Sequence, residues 1–174
     1  EIYQCDWSSD VCSSDLLWSA FAGESQANRK YLAFAEKADK EGFAQAAKLF
    51  RAAAAAETVH AHNHLKALGA IKSTAENLKE AAGGEHYEAF EMYPPFLEEA
   101  TATGEKPAAR TFRLALEVEK THENLYSEML DNLGKEEEPY AYYVCPFCGH
   151  THARNAPDVC PVCGATADKF FRVE

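Results

Sequence analysis

Nowhere in its 174 residues does the chain hold the roughly 20 consecutive apolar residues that a bilayer-spanning helix needs. Nor does it open on a basic stretch followed by an apolar run, the pattern of an export signal, so the expected compartment is the cytoplasm. Basic residues are scarce: 17 Lys and Arg stand against 28 Asp and Glu, a net charge of −11. Such an excess repels phosphate backbones and anionic lipid surfaces, which speaks against nucleic acid and membrane as partners. Apolar residues are plentiful, at 47% of the chain, and a chain of this size hides roughly two thirds of its unfolded surface, so a packed core is expected. The acidity has two explanations: a solvated surface, or carboxylates that point inward. The position of each acid along its helix separates them.

Disulfides are not expected in a reducing compartment. Four of the six cysteines form two CxxC pairs, a metal-binding pattern, while Cys5 and Cys12 match no familiar site spacing and receive no role. Residues 1–15, EIYQCDWSSDVCSSD, lack a helical period and read as an irregular segment foreign to the fold, resembling translated adapter sequence; a short native arm is the alternative. From Leu16 the three-and-four spacing of Leu17, Phe21, Glu24, Asn28, Tyr31 and Ala35 predicts a helix to about Lys40, which Gly42 ends. A second helix is expected from Phe43 to Leu68, its alanine run 52–56 allowing a close neighbour. Residues 69–84 read as a long connection holding a short helix, opened by a Ser73/Glu76 capping box and closed by Gly83 and Gly84. A third helix spans Glu85 to Thr103, with Pro94 and Pro95 kinking it. The fourth runs from Ala108 to Leu133, where Phe112, Glu119, Tyr126 and Leu133 recur every seven residues. The expected fold is mainly α: a ferritin-like four-helix bundle over 16–134, a charged linker at 135–139, and a small separate domain at 140–174.

The carboxylates carry the chemistry. Glu24, Glu57 and Glu119 occupy apolar seams, where an isolated carboxylate costs several kcal/mol, so a positive charge is required among them. The polar companions on those seams are His60 and His122 rather than Lys or Arg, which favours metal. Glu57-Thr-Val-His60 and Glu119-Lys-Thr-His122 are both ExxH, a spacing that points two ligands to one side of a helix. With Glu24 on the first helix and Glu88 and Glu91 on the third, the order is carboxylate, ExxH, carboxylate, ExxH: the di-iron or di-manganese pattern. One of Glu88 and Glu91 exceeds that pattern and is either solvated or a ligand that moves with oxidation state. His62, His64, His86, His150 and His152 lack such partners and read as surface groups or as supports behind the ligands.

Cys145-Pro-Phe-Cys148 and Cys160-Pro-Val-Cys163 form two metal knuckles separated by eleven residues, each followed by glycine. Spacing alone fits zinc or a single iron. Tyr142, Tyr143, Phe147, Phe170 and Phe171 would limit water access around either, and a redox centre in the bundle, which needs an electron source, favours iron.

The segments AFAGESQANRKY, AETVH, GEHYEAFEMYP, EKTH, CPFCG and CPVCG, in that order, resemble the rubrerythrin family over about Leu16 to Val173. The resemblance implies a peroxidase that reduces hydrogen peroxide to water at a di-iron centre, fed through a rubredoxin-like Fe(Cys)4 site at Cys145, Cys148, Cys160 and Cys163. It implies that Glu57 and Glu119 bridge the irons, that Glu88 and His122 serve one and Glu24 the other, and that Glu91 and His60 alternate on the second. Tyr31 would hydrogen-bond a ligand or bound oxygen species, or else simply be a core tyrosine satisfied by a carboxylate. An external redox protein or reductase as electron donor and a head-to-tail homodimer or higher oligomer are implied as partners. The first fifteen residues depart from the family's approach to the first helix, and the gap between knuckles is slightly shorter than in some members. Iron oxidation and storage, as in ferritins, and a non-catalytic zinc module are the alternatives; the four cysteines argue against the first.

Overall fold

The computed structural model describes residues 9–135 and 138–174, so the expected N-terminal segment lies outside it over 1–8, as does the linker at 136–137. Residues 9–15 are not irregular: α1 runs Ser9–Lys40. Once a helix exists, each added residue gains a hydrogen bond for little extra ordering cost, so a polar segment without apolar period can extend it. Packing divides the chain into two compact units, one ending at Lys72 and one starting at Ser73, a boundary within the expected bundle. No helix among the described residues is long and apolar enough to cross a membrane.

In the first unit, α1 turns at Gly42 into α2, Ala44–Ala67. Gly42 takes φ +84°, the left-handed conformation only glycine adopts freely, and the turn closes with the Phe43 N–H donating to the Ala38 carbonyl at 2.8 Å. The interface of this hairpin is alanine: Ala35, Ala38, Ala47, Ala54 and Ala61 are all buried. Small side chains let the backbones approach, and buried Asn28 uses that proximity. Its Nδ2 donates to the Ala54 carbonyl at 2.7 Å and to Thr58 Oγ1 at 2.9 Å.

In the second unit, α3 spans Thr74–Tyr87 and opens with the expected capping box between Ser73 and Glu76. The expected stop at Gly83 and Gly84 does not occur. The chain continues through a π turn, Glu88–Met92, into α4, Tyr93–Ala102, so the long connection shrinks to the few residues before Thr74. Each glycine costs a helix about 1 kcal/mol, too little to end one held by packing. The π turn also explains how Pro94 and Pro95 are accommodated. The Tyr93 N–H reaches back five residues to the Glu88 carbonyl, and the prolines, which lack N–H donors, fall at the start of α4, where none is needed.

The fourth long helical segment, α5, runs Lys106–Asp131 and packs on α3, the π turn and α4, with Ala89, Ala100, Leu116 and Val118 buried in these elements. Tyr93, Phe96 and Phe112 add an aromatic cluster with centroids 5.7–6.5 Å apart. The C-terminal part is a three-stranded antiparallel sheet in the order β2-β1-β3, from β1 Tyr142–Val144, β2 Thr151–Ala153 and β3 Phe171–Val173. It sits at the ends of the knuckles and touches α5 through β2.

Candidate metal centres

The four cysteines converge as predicted. All four Sγ atoms lie within 4.8 Å of one another, with Cys145 to Cys163 at 3.5 Å and Cys148 to Cys160 at 3.6 Å. A tetrahedral ion bonded at about 2.3 Å to four thiolates needs sulfur atoms about 3.8 Å apart, so the cage has the right size for zinc or iron. Each knuckle is folded by the same bonds: the Gly149 N–H donates to the Cys145 carbonyl and the Gly164 N–H to the Cys160 carbonyl, both at 2.9 Å. Gly149 and Gly164 stand at φ +84° and +79°, which is why glycine follows each second cysteine. Cys145 and Cys160 are buried. Burial pushes the Cys148 thiol strongly up. Cys160 is lowered in spite of burial, because the N–H groups of Cys163 and Val162 favour its thiolate. A metal supplies the positive charge that the buried thiolates need.

Two further clusters hold the ExxH pairs, one in each unit. In the first, Glu24 of α1 joins Glu57 and His60 of α2, with His60 Nδ1 2.9 Å from Glu57 Oε2. In the second, Glu119 and His122 of α5 join Glu85 of α3, with His122 Nδ1 2.9 Å from Glu119 Oε2 and 3.7 Å from Glu85 Oε1. Each cluster offers hard oxygen and imidazole nitrogen on one side of its helices, a donor set suited to iron or manganese.

Glu85 was not among the expected ligands. It belongs to the same three-residue series as Glu88 and Glu91, one turn earlier, and that spacing alone could not say which two of the three face α5. Glu88 is half-buried beside the cluster and is pushed up by burial and by Glu119, with His122 opposing. Glu91 is exposed within the π turn and is not gathered with Glu119 and His122. Glu85 itself is pushed up to about 7 by burial, against the pull of His122 and with the help of Glu119 and Glu88. The Glu119 hydrogen bond raises His122, burial opposing. At neutral pH this pocket holds a proton that a metal ion would displace.

Tyr31 sits in an aromatic patch with Phe34 and Phe50, at centroid distances of 6.4 and 6.3 Å. Tyr93, which the sequence reading passed over, is the phenol beside the second cluster. Burial and then the carboxylates Glu119, Glu88 and Glu85 raise it, so it keeps its proton. Of the five other histidines, His86 pairs with Glu123 at 2.8 Å, and His150 is buried with neither ring nitrogen partnered among the described residues.

His122 is held from behind. Its Nε2 lies 3.0 Å from Thr151 Oγ1 in β2, and the Thr151 hydroxyl donates to the Gly149 carbonyl at 3.2 Å. The threonine oxygen therefore accepts from Nε2–H, which leaves Nδ1 to face the carboxylates.

The model of the Rubrerythrin family matches residues 15–130, and that of the rubrerythrin rubredoxin-like domain matches residues 143–171. Rubrerythrin-2 of Clostridium acetobutylicum is 37% identical over 92% of this chain and 96% of its own length. Nigerythrin of Nitratidesulfovibrio vulgaris is 32% identical over 88% and 83%. Among solved structures, fully reduced all-ferrous nigerythrin matches at a TM-score of 0.58 and 30% identity, covering 92% of this chain and 86% of that one.

Proposed function

We propose, for a chain that belongs to the rubrerythrin family, that its iron sites serve the reduction of hydrogen peroxide to water, with electrons drawn through the cysteine site. The family's fold, helices of a ferritin-like bundle followed by a rubredoxin-like domain, and its cofactors, a di-iron carboxylate centre and a four-cysteine iron, are those of this protein. It is an oxidoreductase by family; peroxide as the oxidant is our reading.

The observation that carries it is the presence in one chain of two ExxH carboxylate clusters and a thiolate cage of iron-binding size. Iron held by these residues would, in its ferrous state, supply the two electrons that cleavage of peroxide consumes. The proposed ligands are Glu24, Glu57, His60, Glu88, Glu91, Glu119 and His122, with Glu85 added from its position beside Glu119 and His122. Glu57 and Glu119 each stand one helical turn from a histidine, which suits each to hold a metal within its own cluster. His60 and His122 present Nδ1 toward their glutamates. Tyr93, protonated and close, is placed to donate a hydrogen bond to a ligand there. A cytoplasmic location, an external redox protein as donor and a homo-oligomer complete the reading.

The test is stopped-flow mixing of anaerobically reduced, iron-loaded protein with hydrogen peroxide, following peroxide loss and the visible colour of the ferric tetrathiolate. Rapid loss followed by return of the colour is expected. Peroxide left unreacted would overturn the reading and leave iron oxidation and storage in its place. In Cys145→Ser, reductant-driven turnover should collapse; full turnover would exclude the cysteine route.

A further inference from the structure

We propose that each carboxylate centre is completed by a second copy of this chain, α1 and α2 of one copy closing on α3, α4 and α5 of the other, so that a dimer carries two shared centres. This rests on the iron reading of the clusters given above and names the partner that completes them.

Each unit holds half of a donor set. Glu24, Glu57 and His60 belong to the first, and Glu85, Glu119 and His122 to the second. Each half lies on an apolar seam. Seven residues from Glu24, Glu57 and Glu119 stand Tyr31, Phe50 and Phe112, each in an aromatic cluster of its own unit. Phe34 and Phe96 in those clusters are 47% and 46% exposed, and the His60 side chain is 54% exposed. A stripe of aromatic rings and metal-binding groups is a bundle interior, and such a face needs a complementary one to cover it.

The length of chain between the units decides where that cover comes from. A ferritin-like bundle, the type of this family, has one long crossover, because its second and third helices run parallel. For Glu57 and Glu85 to stand at one height in such a bundle, the chain must climb back along α2 and beyond it to the start of α3. The segments Glu57 to Ala67 and Thr74 to Glu85 set that climb at about 32 Å, from the rise of about 1.5 Å per residue. The connection is far shorter. The Ala70 N–H still donates to the Leu65 carbonyl at 3.0 Å, so the chain leaves α2 only after Ala70, and from there to Thr74 a fully extended backbone spans about 14 Å. A parallel third helix is therefore out of reach within one copy. Between two copies no crossover is needed, because the same short hinge serves both chains and the exchange of units is reciprocal.

The test uses full-length chains and no peroxide, so its failure is distinct from failure of the peroxidase reading. One chain carries Glu57→Ala with His60→Ala, the other Glu119→Ala with His122→Ala, and neither alone has a complete donor set. Co-expressed and purified together through two tags, they should bind one iron pair per dimer beyond the cysteine-bound irons, counted by native mass spectrometry after anaerobic ferrous titration. Half-oxidised, the mixed dimer should show the EPR signal of a coupled mixed-valence pair, and each variant alone should show none. Mixed chains without that signal overturn the proposal. Metal-free parent protein should sediment as a dimer. A variant with about twenty Gly and Ser residues inserted between Ile71 and Lys72, enough to span the climb, should become a monomer that keeps the coupled pair. A monomeric parent that holds the pair, or a lengthened chain as dimeric as the parent, overturns the proposal.

Discussion

Burial, reinforced by Glu119 and Glu88, pushes the Glu85 carboxyl up. Its folded-state value of about 7 lies above its ordinary 4.5, so its contribution to stability is full below 4.5 and is lost as pH rises through 7. His122 is raised too; its contribution is full below 6.5 and fades above its folded value. Both trends run the same way. Metal-free protein should therefore lose stability between about pH 5 and 8 in thermal melts, and Glu85→Gln, which cannot ionise, should flatten that decline while binding less iron. A metal ion reverses the trend by taking the place of the protons, so apparent iron affinity should climb with pH up to about 7 and then level, as anaerobic titration would record. A residue of another kind is Asn28, whose amide ties α1 to Ala54 and Thr58 of α2. Asn28→Ala removes both of these hydrogen bonds between the helices and should lower stability by about 1–3 kcal/mol in chemical denaturation.

At the scale of elements, the run from Thr74 to Ala102 shows which local signals prevail. The capping box at Ser73 works as its sequence suggests, and Ser73→Ala should cost about 1 kcal/mol. The glycines at 83 and 84 do not break the helix, because packing of α3 and α4 on α5 outweighs their small penalty. Nothing lies within 4 Å of a Cβ placed on Gly84, and its φ is not in the left-handed region, so Gly84→Ala should raise stability by about 0.5–1 kcal/mol, measured in the same denaturation. The π turn before Pro94 adds a residue to one turn and shifts the face that follows. That shift is why the three-residue spacing of Glu88 and Glu91 does not bring both beside Glu119: period arguments assume a regular helix, and this one is irregular at the functional residues.

For the molecule as a whole, stability differs between the helical units and the cysteine domain. Strands of three residues in a three-stranded sheet bury too little to hold themselves together, so the metal is a structural member there. Stripping the metal with a chelator should open residues 142–173 to amide exchange while α2 and α5 stay protected, as hydrogen-exchange mass spectrometry would show. Because β2 also holds His122, the same treatment should speed exchange at His122 Nε2, connecting the loss of one metal to disorder at the other site's ligand.

Composition and spacing by themselves determined the helical character, the two ExxH pairs and the four-cysteine cage. These are properties of charge count and of periods short enough to be read along one helix or one knuckle. Tertiary structure decided what spacing leaves open: that Glu85 faces His122, that Tyr93 rather than Tyr31 stands beside the second cluster, that the chain stays helical through Gly83 and Gly84, and that Thr151 meets His122. Each depends on residues far apart in sequence being brought within hydrogen-bond or charge-interaction range, where packing energy overrides local preference.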